Sequence, residues 1–204
     1  MRVGSFEFGL PGVALEPGDH ICGVYLGAEE RDALLTSYLR AGLDAGDKCF
    51  CVVDAGDHAS VHASIGQSID VAECIASEQL ELLTEKETYL RSGRFAVEEM
   101  IEFWNEAVGG AINGGRFSFA RAVGDTSWVR RTLDGFDEFA AYEAELNRFA
   151  PKYSQAILCL YDLRLYGGGV LVDLLKTHPK LLMGGFLLEN PHYLSPDEFL
   201  SSRR

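Results

Sequence analysis

Apolar residues recur along the chain in two alternating rhythms. Short, nearly continuous apolar runs span His20 to Tyr25, Lys48 to Asp54, Leu80 to Glu85, Arg116 to Val123, Ala156 to Asp162 and Leu181 to Leu188, with the length and composition of strands buried on both faces. Between them lie segments with helical spacing. Ala28 to Ala45 sets Leu34, Leu35, Tyr38, Leu39 and Leu43 on one side; Asp57 to Ser68, Phe95 to Ala111, Trp128 to Phe149 (divided near Gly135) and Gly169 to Lys176 follow. This alternation predicts an α/β fold with a mostly parallel central sheet flanked by helices. No linker, repeat or low-complexity tract breaks it, so a single domain over 1–204 is expected.

Composition narrows the function classes. With 204 residues, 47% of them hydrophobic, the chain has ample material for one core. A net charge of -13 opposes any broad contact with a phosphate backbone, so no direct nucleic-acid binding is expected. Charged residues interrupt every apolar run well short of the roughly 20 residues that cross a bilayer, so no membrane association is expected. The five cysteines lack the spacing of a disulfide framework, which suits a reducing cytoplasm.

Candidate chemistry begins at Pro17-Gly18-Asp19-His20-Ile21-Cys22-Gly23-Val24-Tyr25, where His20 and Cys22 stand two apart and therefore share one strand face. The link to the next helix reads Leu26-Gly27-Ala28-Glu29-Glu30, and no G-x-x-x-x-G-K-[ST] match occurs, so nothing cradles a triphosphate and ATP hydrolysis is not expected. Tyr25, Asp54 and Asp162 end strands, where α/β proteins meet ligands. Arg121 lies within an apolar run and Glu143 on the apolar face of its helix; each needs a partner, and a mutual ion pair is expected, with Arg121 holding a polar ligand as the alternative. His20, Cys22, Cys49, Cys51 and Cys159 could approach one another across neighbouring strands, and His58 and His62, four apart on a helix, could share a metal or form a solvated face; with no ligand pairs at the turn spacing of a structural zinc site, neither a metal nor another cofactor is expected.

An ordered set of short motifs resembles the methanogen/methylotroph sensory (MEDS) domain: Gly18-Asp19-His20-Ile21-Cys22, Tyr89 to Phe95, Arg121 to Trp128, Tyr142 to Asn147, Cys159 to Asp162, His178-Pro179 and Asn190 to Tyr193. The matches run from about residue 16 to 200. The resemblance implies a RecA-like fold without a phosphate loop and a non-enzymatic sensory role. It also implies a small hydrocarbon-derived organic ligand and an output through a regulatory protein such as a kinase or transcription factor. The expected ligand-binding residues are His20, Cys22, Tyr25, Arg121, Glu143 and Asp162, with the turn from Tyr166 to Gly169 as the movable element. A thiol-dependent enzyme using Cys22 and His20, and a protein-interaction scaffold, stand as alternatives.

Overall fold

The structure, a computed structural model, describes residues 6–203. A small antiparallel pair, β1 (Phe6–Glu7) and β2 (Ala14–Leu15), precedes the main body. The chain then runs β3 (Asp19–Tyr25), α1 (Ala28–Ala45), β4 (Lys48–Val52), α2 (His58–Ile65), α3 (Val71–Ala76) and β5 (Leu80–Leu83). It continues through α4 (Val97–Asn113), β6 (Ala120–Asp125), α5 (Val129–Thr132), α6 (Asp137–Phe149), β7 (Gln155–Asp162), α7 (Gly168–Thr177), β8 (Lys180–Met183), β9 (Phe186–Glu189) and α8 (Pro196–Ser201). Seven strands form one sheet in the order β5-β4-β6-β7-β3-β8-β9, parallel at every neighbour except β8 with β9. This is the α/β, mostly parallel architecture expected from the alternation.

Each strand serves two cores because successive side chains point to opposite faces. Along β7, Ala156, Leu158 and Leu160 pack with Leu35, Leu39, Val61 and Ile65 of α1 and α2. Ile157, Cys159 and Tyr161 pack instead with Trp104, Tyr142, Leu146 and Phe149 of α4 and α6. Fully burying one such large apolar side chain is worth about 1.5–3 kcal/mol, so a strand buried along its whole length anchors the sheet.

Three details depart from expectation. The run Leu181 to Leu188 is a hairpin rather than one strand, because Gly184 and Gly185 take φ values of 58° and 82° and turn the chain between β8 and β9. The fourth strand begins at Ala120, where pairing with Lys48 and Gln155 starts, leaving Arg116 and Phe117 outside. The long helix divides near Gly135, as anticipated, into α5 and α6. The short helices α3 and α8 escape a periodicity reading and are set by their starts: Asp70 accepts from Glu73 N, and Ser195 with Glu198 forms a reciprocal cap. No helix among the described residues is long and apolar enough to cross a membrane.

Candidate functional site

Four elements converge on one buried point between β3, β7, α6 and the end of α7. Alternation along β3 turns His20 and Cys22 toward α6, and β7 sets Cys159 opposite Cys22 in register. Glu143 projects from α6, where the helical face of Phe139, Leu146 and Phe149 is pressed against the sheet. His178 follows α7 directly. Pro179 forbids helical geometry at the residue before it, so His178 is extended (φ -117°, ψ 121°) and its ring enters the core.

The distances define one constellation. Glu143 Oε2 lies 3.1 Å from His20 Nε2 and 3.2 Å from His178 Nε2, and Cys159 Sγ lies 3.5 Å from His20 Nε2. The other Glu143 oxygen accepts from the Tyr161 hydroxyl at 2.7 Å. The two imidazole rings lie 4.2 Å apart between centroids. Both outer ring nitrogens are committed as donors. Asn147 spends its amide N–H groups on the carbonyls of Thr177 (2.7 Å) and Glu143 (3.1 Å), so its Oδ1 faces His20 Nδ1 at 3.0 Å and can only accept. His178 Nδ1 donates to the Leu174 carbonyl at 3.0 Å. Asn190 in turn donates to the His178 carbonyl at 2.7 Å.

Electrostatics follow from this packing. Burial pushes the Glu143 carboxyl up, but the imidazoles of His178 and His20 outweigh it and hold the group well below the usual carboxylate range. His178 is lowered, by burial first and the neighbouring His20 second. Burial, reinforced by the Glu143 charge, pushes the thiols of Cys159 and Cys22 well up. Cys22 is therefore a buried thiol that burial holds in its protonated form, and its expected base His20 meets Cys159 and Glu143 instead. The thiol-enzyme alternative has no geometric support.

The other expected site residues are elsewhere. Arg121 and Glu143 do not pair. The same alternation that sends Ala120 and Ala122 toward α4 and α6 sends Arg121 beneath α1, on the opposite face of the sheet, where its Nε donates to Asp47 at 2.8 Å and its Nη1 to the Tyr38 carbonyl at 3.3 Å. Gly42 makes room for it: a Cβ there would stand 2.6 Å from Arg121 Cδ and 2.9 Å from Cys49 Sγ. Tyr25 likewise faces away from His20 and Cys22, about 16 Å along the strand from His20, so the three do not wall one pocket. Its hydroxyl donates to Asp125 at 3.1 Å, and Arg31 binds Asp125 (3.2 Å) and Asp57 (2.7 Å) at the same edge. Asp162 pairs with Arg164, whose Nε lies 2.9 Å away and lowers the carboxyl. Tyr166 is held by Thr126 at 2.6 Å, the Gly167 carbonyl accepts from Leu171 N at 3.2 Å, and Gly168 opens α7. His58 meets the Leu83 carbonyl at 3.2 Å.

Sequence reasoning missed His178, Asn147 and Tyr161 as site residues, and weighed Cys159 only as a metal ligand across neighbouring strands that it then set aside. Their signal was present: each lies in one of the short motifs that carried the family resemblance, and the structure brings four of those motifs to one point. The argument against a metal site looked for ligand pairs in turns, whereas here the groups come singly from β3, α6, β7 and the residue after α7. Beside them is a small void of about 10 Å³, room for about one water, lined by Tyr89, Trp104, Tyr142, Phe149, Ile157 and Cys159 among others.

Comparison with known proteins places the family and the fold. The family model described as MEDS, the MEthanogen/methylotroph, DcmR Sensory domain, matches residues 19–179. A transcriptional repressor, DcmR of Methylorubrum extorquens, is 28% identical over 172 residues, covering 78% of this chain; the chain spans 58% of the repressor's length. Among solved structures, a KaiC-like protein of Pyrococcus horikoshii superposes with a TM-score of 0.60 at 11% identity, covering 88% of this chain and 80% of its own. The flagellar accessory protein FlaH of Methanocaldococcus jannaschii follows at 0.52 and 13%, covering 83% and 75%. The fold is thus RecA-like.

Proposed function

This chain belongs to the family of methanogen/methylotroph, DcmR sensory (MEDS) domains, and on that premise we propose that it binds a small hydrocarbon-derived molecule on the α4/α6 face of the sheet and signals through a regulatory protein. Its role is sensory or regulatory. The observation that carries the ligand reading is the juxtaposition of an aromatic void with the buried His20, Glu143 and His178 cluster, an apolar wall with a few placed polar groups. A guest larger than water must displace Trp104 or Tyr142, and these belong to α4 and α6, whose outer faces are exposed. Differential affinity for the displaced arrangement is what converts binding into a signal. The recipient is a cytoplasmic kinase or transcription factor, in keeping with the repressor relative. The protein performs this role without catalysis.

Thermal unfolding tests the reading. A ligand at a hundred times its Kd stabilises by about 2.7 kcal/mol, which for a chain of this size raises Tm by about 5–10 °C. We expect such a rise with at least one member of a panel of short-chain alcohols, aldehydes and haloalkanes, and none with ATP and magnesium. A flat response across the panel, or stabilisation by ATP alone, removes the proposal.

A further inference from the structure

We propose that His20, Glu143, Cys159 and His178 form a site for one divalent transition-metal ion of the zinc type. One donor atom from each, His20 Nε2, His178 Nε2, a Glu143 oxygen and Cys159 Sγ, all lie within 4.8 Å of one another, and all four residues are buried. Bonds of about 2.0–2.3 Å place the donors of a tetrahedral ion about 3.5 Å apart. The separations of 3.1, 3.2 and 3.5 Å already approach that spacing.

The hydrogen bonds around the cluster are those that metal ligands carry. His20 Nδ1 donates to Asn147 and His178 Nδ1 to the Leu174 carbonyl, so each ring turns its other nitrogen inward. Glu143 keeps one oxygen on Tyr161 and aims the other at the imidazoles. With both rings neutral, three acceptor atoms face one another. His178 Nε2 is fully buried and has no hydrogen-bond partner among the described residues, although Glu143 stands 3.2 Å away. A cation supplies the positive charge that those lone pairs lack. Two imidazoles, a carboxylate and a thiolate suit zinc better than magnesium or calcium, which take oxygen ligands. Four protein donors leave no open position, so the ion is structural or regulatory; on binding, the Cys159 proton passes to solvent.

The inference is separate from the organic-ligand reading, because metal uptake is read with no organic compound present. The protein is unfolded in denaturant with chelator and refolded with one equivalent of cobalt(II) alone. We expect stoichiometric uptake with the intense visible bands of a tetrahedral ion and a thiolate-to-cobalt charge-transfer band in the near ultraviolet. Cys159→Ser should lose the charge-transfer band, whereas Cys22→Ser should keep it. Asn147→Ala, which removes no ligand, should weaken cobalt affinity about 10- to 100-fold. Should Cys159→Ser fail to fold, zinc-edge absorption on the parent protein decides: two imidazoles and one sulfur at about 2.3 Å are expected. No stoichiometric cobalt after refolding, a charge-transfer band that survives Cys159→Ser, or a zinc shell without sulfur overturns the proposal.

Discussion

At the residue scale, the buried charges are the most consequential feature. Arg121 and Asp47 are each almost wholly removed from solvent, at 1% and 3% exposure, so losing either strands the other; removal typically costs about 3–5 kcal/mol. Arg121→Ala and Asp47→Ala should each destabilise by that order, and the double variant by much less than the sum. Combining Arg121→Ala with Glu143→Ala should instead give additive losses in denaturant unfolding, since the two lie on opposite faces of the sheet; strong coupling there contradicts the assignment. The cysteines allow a second check. All five are free and buried, and burial pushes each thiol up, Cys49 to about 12. A thiol-directed probe at neutral pH should label the native protein slowly and all five thiols once it is denatured; rapid labelling of one native thiol shows an activated group. That Arg121 and Glu143 needed partners was legible from their apolar neighbours. Which partners was not, because the choice depends on the face each strand residue turns to.

At the element scale, α1 and β6 approach closely only because Gly42 has no side chain. Alanine would add about 1 kcal/mol of helix propensity, but its Cβ would stand 2.6 Å from a buried Arg121 held by Asp47, and such overpacking costs about 1–3 kcal/mol. Gly42→Ala should therefore lower stability in urea unfolding; a gain means that Arg121 moves aside freely. Pro179 acts in a comparable way on α7 by ending the helix with His178 pointed into the core. Strong periodicity made α1, α4 and β7 readable from the chain. The hairpin of β8 and β9 and the capped α8 were not, because their determinants are a glycine pair and a local hydrogen bond rather than a hydrophobic rhythm.

At the scale of the whole molecule, the RecA-like scaffold keeps its sheet while its carboxyl edge is occupied by the protein's own charges. Arg31 is bound to Asp32, Asp57 and Asp125, and the β3 to α1 link contains no G-x-x-x-x-G-K-[ST] match. Calorimetry with ATP and magnesium should show no binding at micromolar concentrations. Micromolar affinity, accompanied by turnover lost in Asp162→Asn, contradicts this. The buried polar cluster lies instead between β3, β7 and α6, where His20 and Asn147, 127 residues apart in the chain, share a hydrogen bond.

The chain's own pattern determined the fold class, because buried parallel strands and amphipathic helices impose rhythms that survive without knowledge of any contact. It also displayed the motifs of the family, since Gly18 to Cys22, Tyr142 to Asn147, Cys159 to Asp162 and His178-Pro179 were visible one at a time. Only the tertiary structure decided that they meet. Strand order placed β3 beside β7, the register set Cys22 opposite Cys159, and the two-residue alternation divided His20 from Tyr25 and Glu143 from Arg121. These are relations between distant segments, and a periodicity read along one segment contains no information about its neighbour across the sheet.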